Sequence, residues 1–202
     1  MIGIALGLLA ANAGEWLFHK HVLHGVGKNK RSFWSFHWHE HHRNSKLHNM
    51  RDETYERSTF GTHAQGKESA ALLAAGVLML PLFPVAPLFT ATMWACAWNY
   101  HRVHKRAHLD PAWAREHLPW HVDHHLAPNQ DANWCVTNPF FDHVMDTRVR
   151  WLGTEAEKKA TERAMAARKA REEARQAAVN TNDAPADSSP APFAETESAL
   201  AS

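Results

Sequence analysis

An apolar run broken at its centre by proline limits the fold of this chain more than any other feature. Residues 69–100, SAALLAAGVLMLPLFPVAPLFTATMWACAWNY, cover 32 positions without a formal charge. As one straight helix they would reach about 48 Å, well beyond a hydrocarbon core of about 30 Å. Pro81, Pro84 and Pro87 fall in the middle, where each removes a backbone donor and clashes with the preceding turn. The run therefore predicts a hairpin of two short membrane helices that enter and return.

Such a hairpin places the polar blocks 19–68 and 101–150 on one side. All 17 histidines lie in those blocks, nine in the first and eight in the second. A single span would divide them between two compartments. Residues 19–68 carry nine Lys or Arg against five acids, which favours the cytoplasmic side. Residues 1–18 form a second apolar segment, at roughly 27 Å marginal for a span. Ala11-Asn12-Ala13 is similar to a signal-peptide cleavage site, but no basic stretch precedes it and the first Lys is Lys20. The expected fold is an all-α integral membrane protein with a histidine-rich helical cap facing the cytosol, over residues 1–150. Residues 151–202 form the second part. Within it, 154–178 are rich in Ala, Glu, Lys and Arg and predict an exposed helix, and 179–202 predict a disordered tail.

Composition removes several alternatives. A net charge of +1 gives no electrostatic footprint for nucleic acid. Cys96 and Cys135 belong to no CxxC, which argues against a disulfide framework or thiolate zinc site; both are expected as buried thiols. Nine tryptophans beside 17 histidines suggest a polar metal site near a membrane interface, with Trp16, Trp94, Trp98 and Trp120 as interface anchors.

The histidines form four clusters: His19-x4-His24, His37-x3-His41-His42, His104-x3-His108 and His121-x2-His124-His125. Positions three or four apart share one face of an α-helix. His37 with His41, His104 with His108, and His121 with His124 and His125 are thus expected to project together. His42 and His125 point about 100° from their neighbours, toward a second ion. His19 and His24, about 140° apart on an α-helix, are expected to serve different ions or to lie across a helix end. Ten clustered histidines exceed the needs of one ion, so two ions are expected. Imidazole alone does not name the metal, and the Glu-x-x-His di-iron pattern of paired helices does not occur. His37 to His41 also satisfies H-x-x-E-H, an inverted zinc-protease pattern, but that reading leaves three clusters unexplained. Glu40 is better placed as an acceptor for a ligand N–H. His21, His39 and His101 stay open between ligand and supporting group; His48, His63, His117 and His143 read as ordinary residues.

At these clusters residues 1–150 resemble the fatty acid hydroxylase/sterol desaturase superfamily of membrane di-iron enzymes. Tyr100-His101-Arg102-Val103-His104 with His108, then His121-Val122-Asp123-His124-His125, are similar to two motifs of its fatty acid 2-hydroxylase branch. Asn133-Trp134-Cys135-Val136-Thr137, Phe141-Asp142 and Asp146-Thr147 look like its closing stretch, and Glu15 with His19-x4-His24 like its early one. Phe141 stands for the usual Trp and Asp146 for the usual Gly. The second motif, usually His-x2-His-His, here leaves His37 and His39 as rivals, with His37 preferred for its helical face. The resemblance implies a non-haem di-iron oxygenase (two iron ions, or zinc as isolated) that uses O2 to hydroxylate or desaturate a lipid C–H bond. It implies His19, His24, His37, His41, His42, His104, His108, His121, His124 and His125 as metal ligands. His39, Glu40, His101, Asp123 and Asn133 are expected around them as hydrogen-bonding supports. The electrons would come from a separate cytochrome b5-like or ferredoxin-like donor, because no cytochrome domain is fused. The rival reading is a non-enzymatic metal-binding or metal-trafficking membrane protein.

Overall fold

The computed structural model describes residues 1–182. Among them every regular element is helical, with eight α-helices and no strand. The chain divides into two units, the first residues 1–157 and the second beginning at residue 158. In the first unit α1 (Ile2–Phe18) continues directly as a π-helical stretch, His19–Val26. A second π-helical stretch, His37–His42, leads into α2 (Arg43–Leu47). Then come α3 (Ala64–Leu78), α4 (Pro87–Leu109), α5 (Pro111–His117), α6 (Pro119–Leu126) and α7 (Phe140–Val144). Helix α8, Glu155–Asn182, begins in the first unit and makes up the described part of the second. Of the expected tail, residues 179–182 finish α8, and 183–202 lie outside the described residues.

The proline-broken run folds as two helices, α3 and α4, joined by a short 3-10 turn, Leu80–Leu82. Helix α1 packs along α4 and runs parallel to it. Gly3 and Gly7, a G-x-x-x-G pair, make that approach close: a Cβ at Gly3 would stand 3.1 Å from the Phe89 nitrogen, and one at Gly7 2.8 Å from Thr92 Cβ. The N-terminal end of α1 therefore lies level with the α3–α4 turn, and its C-terminal end level with the histidines of α4. Exposed apolar side chains gather at the turn end, including Leu6, Leu8, Leu78, Leu80, Phe83, Val85 and Leu88. Among the described residues one helix, Ile2–Val26, is long and apolar enough to cross a membrane; a soluble core helix or a signal sequence passes the same length and composition test.

Two expectations about interface residues and thiols change. Trp16 is buried and donates from Nε1 to Thr147 Oγ1 (2.9 Å), and Trp120 donates to the Val136 carbonyl (2.8 Å). Both are internal braces, whereas Trp98 is exposed. Cys135 is buried, but Cys96 is half-buried and lines a cavity.

Candidate metal centre

The histidines assemble into two adjoining buried groups. His19, His24, His37, His42 and His124 form cluster A; His41, His104, His108 and His125 form cluster B, with one ring nitrogen of each member within 4.8 Å of the others. His121 joins the edge of cluster B, its Nε2 3.2 Å from His108 Nε2 and its ring centroid 4.6 Å from that of His125. The adjacent pairs His41-His42 and His124-His125 each send one ring to each cluster, so α6 and the second π-helical stretch hold the two clusters side by side. The His42 and His125 ring centroids lie 4.3 Å apart across that boundary.

This grouping corrects the α-helical reading of the spacings. His37 pairs with His42, five positions on, and not with His41; His19 and His24, also five apart, meet in one cluster. Both segments are π-helical. With bonds from i to i+5, each residue turns through a smaller angle than in an α-helix, so position i+5 comes back over position i. The contacts are close: Nε2 to Nε2 is 2.9 Å for His19 and His37, 3.0 Å for His24 and His42, and 3.1 Å for His42 and His37. His121 likewise lies beside cluster B and apart from His124, whose ring centroid is 6.1 Å away. The α-helical pair His104 and His108 shares cluster B as the spacing expected.

Each ring is oriented from behind. In cluster A the Nδ1–H of His19 donates to the Trp134 carbonyl (2.6 Å), that of His124 to the Ala132 carbonyl (2.7 Å), and that of His24 to Asp131 (3.2 Å). In cluster B, His41 donates to Asp52 (3.1 Å), His104 to Glu68 (2.9 Å) and His108 to the Met50 carbonyl (2.8 Å). Glu68 also accepts from the Tyr55 hydroxyl (2.9 Å). A neutral imidazole that donates through Nδ1 presents a bare lone pair at Nε2. The tautomers follow from these acceptors.

The donor set fits metal ions. His108 and His104 then bring two bare Nε2 lone pairs to 3.2 Å, and in cluster A His42 Nε2 stands 3.1 Å from the bare Nε2 of His124. Lone pairs at that distance repel unless a cation lies between them. Two nitrogens at about 2.1 Å from one ion and at right angles would be separated by roughly 3.0 Å. His41 Nε2 and both ring nitrogens of His125 are buried without a hydrogen-bond partner, a costly state that ligation relieves. Burial and the neighbouring rings push His37, His42, His121 and His125 well below the usual histidine range. Burial also pushes His124 down to about 4. Burial lowers His41 too, against the opposing pull of the Asp52 carboxylate. For Asp52 itself, burial acts upward, but the His41 hydrogen bond and charge outweigh it and leave its carboxyl at about 2. Burial thus favours the neutral form of these six histidine rings, the form that ligation requires.

The residues expected as supports divide. His39 bonds the Lys28 carbonyl (3.0 Å) outside both clusters, and Glu40 is exposed and pairs with Lys67 (3.3 Å). His37, buried in cluster A, is therefore the member of that pair at the centre. His101 lies one turn beyond His104, half-buried, 3.4 Å from Ser69 Oγ. The Asp123 carboxylate turns to other partners than the histidines: it accepts from the Trp151 and Leu152 amides and pairs with Arg148 (2.7 Å), fastening the chain after α7 onto α6. Asn133 acts indirectly. At φ 58° it donates to the Val149 carbonyl (2.9 Å) and so shapes the loop whose carbonyls at 132 and 134 hold His124 and His19.

Asp142 accepts from the Trp134 and Cys135 amides, and Glu15 from the Val136 and Thr137 amides, bracing the same loop. Asp52, Glu68, Asp131 and the three backbone carbonyls are the partners that spacing did not find. Glu68 alone carried a signal, as an acid at the mouth of the apolar run. No family model, no curated protein and no solved structure matches the chain.

Proposed function

We propose that the chain is a membrane-bound non-haem di-iron oxygenase that hydroxylates or desaturates a lipid C–H bond with O2 and external electrons. One observation carries this reading beyond metal binding: a largely apolar cavity of about 490 Å³, between α1, α3 and α4, ends on His19 and His37 of cluster A. Ala71, Leu72, Ala75, Met79 and Met93 give it an apolar wall, and Glu15, Glu68 and Tyr100 add polar groups. A storage or trafficking site has no use for an apolar corridor to its ligands. An oxidant for an unactivated C–H bond does, because the corridor delivers a carbon and keeps bulk water from the centre.

Two iron ions in clusters A and B would supply O2 activation, which side chains alone do not provide. The protein's part is to hold the rings through the six Nδ1 hydrogen bonds, to bind the chain of the lipid, and to exclude water. The apolar turn end of α1, α3 and α4 would sit in the bilayer with the clusters at its cytoplasmic face. A separate cytochrome b5-like or ferredoxin-like protein would deliver electrons.

The test is metal analysis of detergent-purified protein, joined to O2 consumption with a reductant and bilayer lipids. The expected result is two ions per chain, on the two-cluster count, and lipid-dependent consumption that His41→Ala and His37→Ala abolish. Metal uptake without any lipid-dependent consumption would favour a metal-binding protein instead. Lipid extracts of cells with and without the gene then name the substrate, by gain of one oxygen or loss of two hydrogens.

A further inference from the structure

A second hollow lies outside the cavity. It is an open groove of about 420 Å³ on the outer face of α3 and α4, beneath the loop at Thr59 and Phe60. The groove and the cavity share four wall residues: Leu72, Gly76, Trp94 and Ala97. Gly76 contributes no side chain and Ala97 one methyl group, so the indole of Trp94 and the side chain of Leu72 make up the partition. A Cβ built at Gly76 would meet the indole at 3.8 Å, an ordinary contact distance, so the bare glycine leaves about a methyl group's width beside the ring.

The ring is latched rather than embedded. Its Nε1 donates to the Gly76 carbonyl (3.1 Å), and it stacks on Phe83 with centroids 5.5 Å apart and planes 7° from parallel. The Gly76 carbonyl also accepts from the Met79 amide (3.3 Å). Releasing the indole therefore leaves no backbone acceptor without a partner, and the cost of opening is about that of one hydrogen bond plus a stacked pair.

The groove's own chemistry names its occupant. Thr59, Ser69 and His101 gather polar groups at its cluster end, and Leu73, Val77 and Leu80 continue it toward the turn. From Ser69 to Leu80 is roughly 16 Å of helix. That is a seat for a single-chain amphiphile: a hydrogen-bonding head at the cap and one unbranched acyl chain along α3. The cavity follows the same length of α3, so the chain can pass sideways without turning end for end.

We propose that the groove is an acyl-chain entry site and that Trp94 is the gate between it and the cavity. This rests on the lipid reading above for its physiological sense, but binding requires neither metal nor O2. The experiment uses the full chain in nanodiscs and palmitic acid carrying a photoreactive diazirine at mid-chain, with labelled residues mapped by mass spectrometry over time. Label is expected first on Leu73 and Val77 in the groove and later on Met79 and Met93 in the cavity. Trp94→Phe, which keeps a ring and removes the latch donor, should speed the inner labels roughly fivefold, the effect of one hydrogen bond of ordinary net strength. Trp94→Ala should speed them further. Ala97→Phe, which thickens the partition, should suppress the inner labels and leave the groove labels and the metal content unchanged. Inner labels that ignore all three substitutions, or that appear without groove labels, would overturn the gate. A protein that takes up the probe as expected but consumes no O2 would leave the gate standing and remove the oxygenase reading alone.

Discussion

At the scale of single residues, the two clusters differ in what stands behind their rings. Cluster B leans on two buried carboxylates, Asp52 and Glu68, whereas cluster A leans on the carbonyls of residues 132 and 134 and on Asp131, which is half-exposed and shared with Lys28. A carboxylate behind a ligating imidazole raises its basicity, and removing such a partner commonly costs 10–100-fold in metal affinity. Asp52→Asn and Glu68→Gln are therefore expected to lower metal content under chelator competition from about two ions per chain toward about one. Asp131→Asn should change it little, because solvent and Lys28 already dilute that contact. Equal loss from all three variants would contradict the asymmetry. Asp146 makes a different point. It occupies φ 52°, a region that disfavours side chains, at the position where the resembled motif has Gly. Asp146→Gly should leave thermal stability unchanged or slightly raised, and Asp146→Val should lower it by about 1–2 kcal/mol.

At the scale of elements, helix α1 illustrates how polar atoms on an apolar helix organise a loop. Asn12 donates to the Asn138 carbonyl (2.7 Å), Glu15 accepts from two loop amides and the Thr137 hydroxyl, and Trp16 reaches Thr147. These bonds hold the segment that supplies the carbonyls behind His19 and His124. Glu15→Ala strands two partly buried amides, at about 1–3 kcal/mol each. It should lower the melting temperature and loosen metal from cluster A while cluster B keeps its ion, a split readable by metal titration with Glu68→Gln as the converse. The helical hairpin and the four histidine groups were legible in the sequence because proline geometry and residue spacing are local facts. The division of the groups between clusters was legible only in part: the split of His41 from His42 and of His124 from His125 was, but the pairing of His37 with His42 and of His19 with His24 was not. That pairing depends on two π-helical stretches, and a wheel drawn at α-helical pitch sends His24 and His42 the wrong way. The spacing of five was itself the available signal, since it makes sense for paired ligands only on a wider helix. Asp52, 56 positions before His108, comes beside cluster B through the tertiary fold, where its amide bonds the His108 carbonyl (3.1 Å), and no local pattern marks it.

At the scale of the whole molecule, the prolines of the hairpin have a second consequence. Inside hydrocarbon every backbone N–H needs an internal partner. At the turn, residues 81, 84 and 87 have no N–H to satisfy. The amides of Leu82, Phe83, Val85 and Ala86 bond the carbonyls of Met79, Leu80 and Leu82, at 2.8–3.2 Å. The turn exposes Leu80, Leu82, Phe83, Val85 and Leu88. On the proposed membrane placement, such a turn suits hydrocarbon better than the far aqueous face. Its reach agrees: from Ser69 to Leu82 the hairpin extends roughly 20 Å, about two-thirds of a hydrocarbon core of about 30 Å. On the proposed membrane placement, the tip stops past the midplane without emerging. A single cysteine at Val85, in a background of Cys96→Ser and Cys135→Ser, labelled with a bimane fluorophore, tests this in proteoliposomes. Nitroxides deep on the acyl chain should quench the fluorophore more than nitroxides near the headgroup, and iodide should quench it from neither side. Iodide quenching from the side opposite the clusters would make the hairpin a full span. Indifference to every lipid-borne quencher would remove the turn from the bilayer altogether, and with it the cytoplasmic-face placement of the metal centre.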